Sequence, residues 1–197
     1  MDKPLPQDSS DMTDRIRLPL NFDVDRLQQD LKKLQSCDWI AHFVQQNYDG
    51  EWDVLPLRSP ASATHPVMMI YSDPSCTEFV DTHFLENTDY LAKVLQAFHC
   101  PLLAVRLMKL SAGSVIKEHT DLDLDVESGV VRLHVPIQTN DKVDFQLNGS
   151  RVILPAGECW YLRLSDPHSV ANHGDEDRVH LVIDAEVNDW LAEQLQA

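Results

Sequence analysis

Three side chains that could hold one metal ion occur as a spaced set in this sequence. His119 and Asp121 lie two positions apart, and His168 follows much further along the chain. In a strand or the loop beside it, positions i and i+2 point to the same side, so His119 and Asp121 can bind one ion together. Two imidazoles and one carboxylate on one face of iron(II) leave its opposite face open. An isolated H-x-D pair is often only a surface loop, but together with His168 it predicts a metal site.

An arginine beyond the third of these residues could extend the site. Arg178 directly follows the acidic turn at 175–177 and precedes the apolar run at 179–183, where a strand would enter the core. The keto-acid end of 2-oxoglutarate chelates iron(II), and a guanidinium can bind the far carboxylate through two charge-assisted hydrogen bonds. We therefore predict that Arg178 anchors 2-oxoglutarate. The alternative is an exposed charge at the edge of a strand.

A second polar pair lies inside an apolar run. Arg132 and His134 alternate with Leu133 and Val135, as the two-residue period of a strand requires. If Leu133 faces the outer layer, Arg132 and His134 both face the interior. Because burial of an unpaired charge is unfavourable, the pattern favours a pocket role in which Arg132 and His134 meet an anion.

The remaining sequence indicates which elements position these residues. A strand is predicted at 16–20, and apolar residues recur at helical spacing after Asp23, a candidate N-cap, and again over 90–98. From residue 102 onward, β-prone runs alternate with turn signals such as Asn148-Gly149. The runs cover 102–110, 130–137, 143–147, 151–154, 159–164 and 178–187, and a closing helix is expected at 188–196. The pattern predicts an α+β, mainly β fold, either a jelly roll or a barrel, with buttressing helices near the N-terminus.

The composition narrows the class of protein. The formal net charge is −16, from 32 acidic and 16 basic residues, which argues against a nucleic acid or an anionic membrane surface as the partner. The first residues lack the order of a signal peptide and no apolar run reaches membrane-spanning length, so a cytoplasmic protein is the expectation. We expect a disordered tail at 1–14 and a single domain at 15–197, with its β core at about 102–187.

Several short motifs occur in one order between residues 106 and 184. They are H-T-D at 119–121, R-L-H-V-P-I at 132–137, A-G-E-C-W at 156–160, H-S at 168–169, and N-H-G with R-V-H-L-V-I-D within 172–184. In this order the chain resembles the aspartyl/asparaginyl β-hydroxylase family, which includes bacterial free-proline hydroxylases. The set is far more specific than any one of its members.

The resemblance implies a double-stranded β-helix fold and an enzyme that uses Fe(II), 2-oxoglutarate and dioxygen, releasing succinate and carbon dioxide. By position it makes His119, Asp121 and His168 the iron ligands. It also makes Arg178 and His134 contacts of 2-oxoglutarate, and Arg132 a contact of the substrate carboxylate. The chain departs from the family at two positions. Asp121 stands where the animal peptidyl hydroxylases have glycine, and Met108 stands where the family has a serine that helps to hold 2-oxoglutarate.

Three readings of the function stay open on the sequence. The first is a dioxygenase that hydroxylates an unactivated carbon of a free amino acid, an amino-acid-like small molecule or an Asp/Asn side chain; a free α-amino acid ranks slightly first. The second is a non-catalytic, cupin-like binding module, which has no need of Arg178. The third is a zinc hydrolase with the same ligands, for which Glu118 or Asp123 would be the general base.

Overall fold

The computed structural model describes residues 13–71 and 75–196, which form a mainly β protein with short helices. The strands are β1 (Arg15–Asn21), β2 (Ile40–Ala41), β3 (Tyr48–Asp49), β4 (Trp52–Pro60), β5 (Phe79–Asp81), β6 (Leu102–Leu110), β7 (Val115–His119), β8 (Val130–Gln138), β9 (Val143–Leu147), β10 (Ser150–Val152), β11 (Glu158–Leu162), β12 (His168–Asn172) and β13 (Arg178–Glu186). The α-helices are α1 (Val24–Leu34), α2 (Pro66–Ile70), α3 (Asp89–Gln96) and α4 (Asp189–Gln194), and a single 3₁₀ turn spans Gln45–Asn47.

The strands from β6 to β13 are divided between two antiparallel sheets. The larger sheet contains β11-β8-β13-β6 in that spatial order, and the smaller sheet contains β10-β9-β12-β7. Successive segments of the chain cross repeatedly between the two sheets, which is the double-stranded β-helix topology. The predicted fold class, α+β and mainly β, is therefore confirmed.

Strands from the first half of the chain extend both sheets. β1 pairs with β11 at one edge of the larger sheet, and β4, followed by β2 and β5, extends the edge at β6. β3 pairs with β7 at the edge of the smaller sheet. Three of the four edges of the eight-stranded core, at β11, β6 and β7, are thereby paired within the chain, and β10 is the remaining edge strand of the smaller sheet.

The N-terminal helices cover the outer face of the larger sheet, as predicted. Asp23 caps α1 by accepting a hydrogen bond from the backbone N–H of Arg26 at 3.1 Å. The buried carboxylate of Asp30, in α1, accepts from the first N–H groups of α3, at Tyr90 and Leu91, and so ties the two helices together. Leu133 of β8 belongs to the apolar cluster under these helices.

The structure contains the predicted closing helix, and it describes only the end of the predicted N-terminal tail. The closing helix is α4, capped by the Asn188 side chain, which accepts from the N–H of Leu191. Most of the predicted tail, residues 1–12, lies outside the described residues. Asp14 accepts hydrogen bonds from Arg15 and Asn148, so the last residue of that predicted tail is tied to the β core. Among the described residues, no helix combines the length and the apolar character needed to cross a membrane.

Candidate metal centre

The two histidines of the predicted metal site face each other across the smaller sheet. His119 is the last residue of β7 and His168 the first of β12, and the two are direct register partners with ring centroids 4.2 Å apart. Asp121 follows in the loop, where its N–H donates to the carbonyl oxygen of Leu164 at 2.8 Å. One potential ligand atom from each of the three residues lies within 4.8 Å of the others. The structure therefore brings the three predicted ligands together.

Backbone carbonyls orient both imidazole rings. Nδ1 of His119 lies 2.8 Å from the carbonyl oxygen of Lys117, and Nδ1 of His168 lies 3.0 Å from that of Asp166. A carbonyl only accepts, so each Nδ1 carries the proton and each Nε2 has a free lone pair for a metal. Burial lowers the pKa of His168, which keeps that ring neutral as a ligand must be.

Arg132 orients the carboxylate of the site. Its Nη1 donates to Oδ2 of Asp121 at 2.7 Å, while Oδ1 of Asp121 lies 3.7 Å from Nε2 of His119. One oxygen of Asp121 is thus occupied by a cation, and the other lies beside the histidine nitrogens. Two neutral imidazoles and one carboxylate oxygen suit a divalent first-row metal such as iron(II).

Arg132 belongs to a larger buried ion cluster. Its Nε and Nη2 donate to the two oxygens of Asp184 at 2.6 and 3.0 Å, and Arg106 donates to the same carboxylate at 2.8 Å. Burial alone would raise the pKa of Asp184, but the two guanidiniums hold it well below its usual value. The anion that Arg132 was expected to require is therefore present within the chain, as Asp184 and Asp121. A contact of Arg132 with a substrate carboxylate stays a prediction.

Arg178 is buried in the larger sheet, and its side chain has one polar contact among the described residues. The residue is 3% exposed, its Nη2 lies 2.8 Å from Nδ1 of His180, and its buried Nε has no hydrogen-bond partner in the part of the chain that the structure describes. Within 13–71 and 75–196, no carboxylate forms an ion pair with it. Burial lowers the pKa of Arg178 to about 9 because no anion offsets the positive charge. The predicted anchor for a carboxylate is therefore a buried cation without a counter-ion among the described residues.

Two more histidines complete this polar region of the interior. A guanidinium only donates, so Nδ1 of His180 accepts from Arg178. Nδ1 of His134 lies 3.3 Å from Nδ1 of His180, and the buried Nε2 of His134 has no hydrogen-bond partner among the residues described. Burial, followed by the charge of Arg178, holds the pKa of both rings well below the usual value. His134 therefore presents a neutral ring with one unused nitrogen.

The ring of Phe145, in β9, lies near both the candidate metal ligand His168 and Arg178. It is stacked on His168 with centroids 6.4 Å apart, and the guanidinium carbon of Arg178 lies 6.0 Å from its centroid. It also forms an edge contact with His134 at 6.2 Å. Phe145 thus places an aromatic ring beside both polar regions.

Sequence reasoning missed several charged or aromatic residues around the site. Asp184 and Arg106 were given no role, although a charge inside an apolar β run is itself a signal of a buried ion pair. His42 is stacked on Trp52 with centroids 3.6 Å apart, and burial, followed by Arg106 and Arg132, lowers its pKa to about 4. No local pattern in the sequence marks His42. Glu118 and Asp123, the candidate bases of a hydrolase, are both exposed.

Fold and site together define a double-stranded β-helix protein with a candidate metal centre of two histidines and one carboxylate. Residues 21–187 match the family model described as aspartyl/asparaginyl beta-hydroxylase. The match covers well over half of the chain, and the chain belongs to this family.

Two curated relatives are bacterial proline hydroxylases. One is the L-proline cis-4-hydroxylase of Rhizobium meliloti (strain 1021), which is 26% identical over 173 residues, covering 85% of this chain and 59% of the relative. The other is the L-proline cis-3-hydroxylase 1 of a Streptomyces species, which is 22% identical over 168 residues, covering 84% of this chain and 57% of the relative. The chain thus spans less than two thirds of the length of these relatives.

Solved structures of low sequence identity share the fold. A prolyl-4-hydroxylase from Pseudomonas putida superposes with a TM-score of 0.54 at 11% identity, covering 89% of this chain and 93% of that one. HygX from Streptomyces hygroscopicus, solved with nickel and 2-oxoglutarate bound, gives a TM-score of 0.54 at 15% identity, covering 91% and 85%. At these identities the likeness supports the fold alone.

Proposed function

We propose that the protein is an Fe(II)- and 2-oxoglutarate-dependent dioxygenase that hydroxylates an unactivated carbon of a free amino acid or a similar small molecule. The observation that carries the proposal is the pairing of a three-ligand site with Arg178. A buried guanidinium without a counter-ion is unfavourable unless an anion binds it. Neither a metal-binding module nor a hydrolase requires that second feature.

The protein residues have separate roles in this proposal. His119, Asp121 and His168 hold the metal through two Nε2 atoms and one carboxylate oxygen, and the bound iron would supply the oxidative chemistry. Arg178 binds the distal carboxylate of 2-oxoglutarate, and the unused Nε2 of His134 provides a second polar contact. The apolar lining around Phe145 keeps water out of the space between them.

The substrate class that we propose is a free amino acid. Both curated relatives are named as hydroxylases of L-proline, which supports a free amino acid over a protein side chain. Arg132 is our candidate contact for the substrate carboxylate. Since its Nη1 already donates to Asp121, a substrate would have to share this guanidinium with a metal ligand.

The experiment is release of succinate by anaerobically iron-loaded protein after oxygen is admitted. The panel contains free amino acids, their methyl esters and peptides that carry the same residues at internal positions. We expect turnover of at least one free amino acid and much slower turnover of its ester. Equal turnover of acid and ester would contradict carboxylate recognition. If the protein binds metal and 2-oxoglutarate but releases no more succinate with any member of the panel than without one, the result would favour the non-catalytic module.

Ligand assignment is tested separately by metal content. Mn(II) binding is measured for His168→Ala and Asp121→Ala, with His173→Ala as the matched control because His173 is an exposed histidine in a turn outside the site. Both site variants should lose stoichiometric binding and the control should keep it. Retention of one Mn(II) per chain in both site variants would rule out the assignment.

A further inference from the structure

A continuous chain of charged side chains runs through the larger sheet to the metal site. Arg106, which is 1% exposed, donates to Asp184, and Asp184 accepts from Arg132 on both of its oxygens. Arg132 in turn donates to Asp121, one of the three candidate ligands. Of these four residues, only Asp121 is a candidate metal ligand. Asp184 has no role in the proposed function.

The register of the strands places these residues side by side. Asp184 of β13 is the direct partner of Arg132 in β8, and β13 also pairs with β6, which carries Arg106. Directly opposed residues on antiparallel strands have neighbouring side chains on the same face of the sheet. Asp184 therefore lies between the two arginines because of the strand pairing, not because of a mobile loop.

The geometry of the guanidinium links Asp184 to Asp121. Nε and Nη2 lie along one edge of the planar group, and both donate to Asp184. A bidentate contact of this kind fixes the plane and the rotation of the group. The direction of Nη1 is then determined, and it points at Oδ2 of Asp121, 2.7 Å away.

We propose that Asp184 is a positioning residue of the metal centre that acts through Arg132. By fixing the guanidinium, it keeps Oδ2 of Asp121 occupied and leaves Oδ1 as the oxygen offered to the metal. Arg106 holds the other side of Asp184 and donates from Nε to the carbonyl oxygen of Ile70 at 3.0 Å, which anchors the chain of residues to α2. This inference rests on the metal site of the proposed function.

The first test compares metal affinity in two Asp→Asn variants. Asp184→Asn keeps the shape of the side chain but removes its charge, so Arg132 loses its bidentate partner. We expect the Kd for Mn(II) to rise ~10- to 100-fold, as is typical when a residue that orients a metal ligand is changed. The visible spectrum of the Co(II)-loaded variant should also change, because it reports the coordination of the ion.

Asp30→Asn is the matched control. Asp30 is also 3% exposed and accepts from two backbone N–H groups and Lys33, but it joins α1 to α3 and does not contact the metal site. This variant should lose stability and keep the wild-type Kd for Mn(II) and the wild-type Co(II) spectrum. An Asp184→Asn protein with wild-type Kd and spectrum would overturn the inference.

A double-mutant cycle distinguishes action through Arg132 from a general loss of packing. If Asp184 acts through Arg132, then Arg132→Gln combined with Asp184→Asn should bind Mn(II) as Arg132→Gln alone does, within roughly twofold. Additive effects of the two substitutions would overturn the inference. If Asp184→Asn does not fold, Arg132→Lys replaces it, because an ammonium cannot engage Asp184 and Asp121 with the same fixed geometry.

For Arg132→Lys, a wild-type Mn(II) affinity would overturn the inference, and a raised Kd in a folded protein would support it. The wild-type titration separates this inference from the proposed function. A wild-type protein that binds no divalent metal would overturn both. A wild-type protein that binds metal, together with an Asp184→Asn variant that binds it equally well, would overturn only the role of Asp184.

Discussion

Arg178 and Asp184 show two ways in which this protein accommodates a charge in its interior. Asp184 is neutralised by two arginines of the same chain, and the pair interactions hold its pKa below the usual value. Arg178 has the neutral ring of His180 as its hydrogen-bond partner, and no carboxylate of the described residues pairs with it. A buried charge with internal partners is a structural element, whereas one without such partners is an unfavourable feature that a ligand can relieve.

Replacement of Arg178 by methionine should therefore have opposite effects on stability and on binding. Arg178→Met keeps most of the side-chain volume and removes an uncompensated charge, so the ligand-free protein should unfold at a higher temperature than wild type. The affinity for 2-oxoglutarate should fall by ~30- to several-thousand-fold, which corresponds to about 2–5 kcal/mol. Calorimetry on the Mn(II)-loaded protein measures the affinity. If the affinity for 2-oxoglutarate is unchanged, another residue binds its distal carboxylate.

His42 should make the stability of the metal-free protein depend on pH. Burial, followed by Arg106 and Arg132, lowers the pKa of His42 from 6.5 to about 4, so the unfolded chain takes up a proton between these values and the folded chain does not. Stability contributed by the neutral ring is present above pH 6.5 and is lost as the pH falls towards 4.

His42→Phe keeps an aromatic ring to stack on Trp52 and removes the titration. Across this pH range, its free energy of unfolding should fall less steeply than that of wild type, by up to about 1.4 kcal/mol per pH unit. Urea unfolding at a series of pH values gives the two slopes. Parallel slopes would mean that His42 takes up its proton in the folded protein as readily as in the unfolded chain.

The contact between the β1–α1 connection and the β core depends on a single glycine. Gly157 has a positive φ of 82°, and its carbonyl oxygen accepts from the N–H of Phe22 at 2.8 Å. A Cβ added at Gly157 would lie 2.5 Å from the backbone oxygen of Phe22, which cannot move without shifting the start of α1. This element of the fold therefore requires the absence of a side chain.

Gly157→Ala should destabilise the protein by roughly 2–5 kcal/mol, from the positive φ and from the collision with the backbone. Gly113→Ala is the matched control, because Gly113 also has a positive φ, of 77°, but a Cβ there would meet nothing within 4 Å. Gly113→Ala should lower the free energy of unfolding by about 1–2 kcal/mol. Thermal unfolding of the two variants gives the difference. Equal losses would show that the connection adapts to a methyl group at no cost.

A strand could be predicted from the sequence where neighbouring residues alone determine its conformation. The strands at 102–110 and 143–147 were predicted with the bounds of β6 and β9, because a buried apolar run between turn residues is a local signal. β7 (Val115–His119) carries two exposed charged residues and was not assigned as a strand. Its extended conformation is stabilised by pairing with β12 and β3, which a local pattern cannot reveal.

Some residues of the candidate site could be predicted from the sequence, whereas the contacts between them could not. The three ligands and Arg178 were identified from residue types and motif order, and the structure brings the ligands together. The partner of Arg132 could not be predicted, because whether a buried arginine meets Asp184 or an external anion depends on the register of β8 and β13. Sequence therefore indicated which residues are polar and inward-facing, but not which of them satisfy one another.

At the scale of the whole molecule, ligands should stabilise the folded state through mass action. Mn(II) and 2-oxoglutarate at 100 times their Kd should each add about 2.7 kcal/mol, and for a chain of this size each kcal/mol raises Tm by about 2–4 °C. Differential scanning fluorimetry under nitrogen measures the shift. Arg178→Met should keep the shift from Mn(II) and lose the further shift from 2-oxoglutarate. A wild-type Tm that does not respond to either ligand would argue against the site.

The two candidate histidine ligands and Arg178, the proposed carboxylate anchor, belong to different sheets. His119 and His168 end β7 and begin β12 of the smaller sheet, whereas Arg178 begins β13 of the larger one, and the ring of Phe145 lies 6.4 Å from that of His168 and 6.0 Å from the guanidinium carbon of Arg178. In the proposed function the keto-diacid extends from the metal to Arg178 past Phe145, so we expect the size of this side chain to limit the length of the keto-diacid that binds. Phe145→Leu should shift the preference from 2-oxoglutarate towards 2-oxoadipate, which is one methylene longer, as competitive binding to the Mn(II)-loaded protein would measure. An unchanged ratio of the two affinities would mean that the chain length is selected elsewhere. A shift of that ratio towards 2-oxoadipate would show that the packing between the two sheets, as well as the charges, selects the cosubstrate.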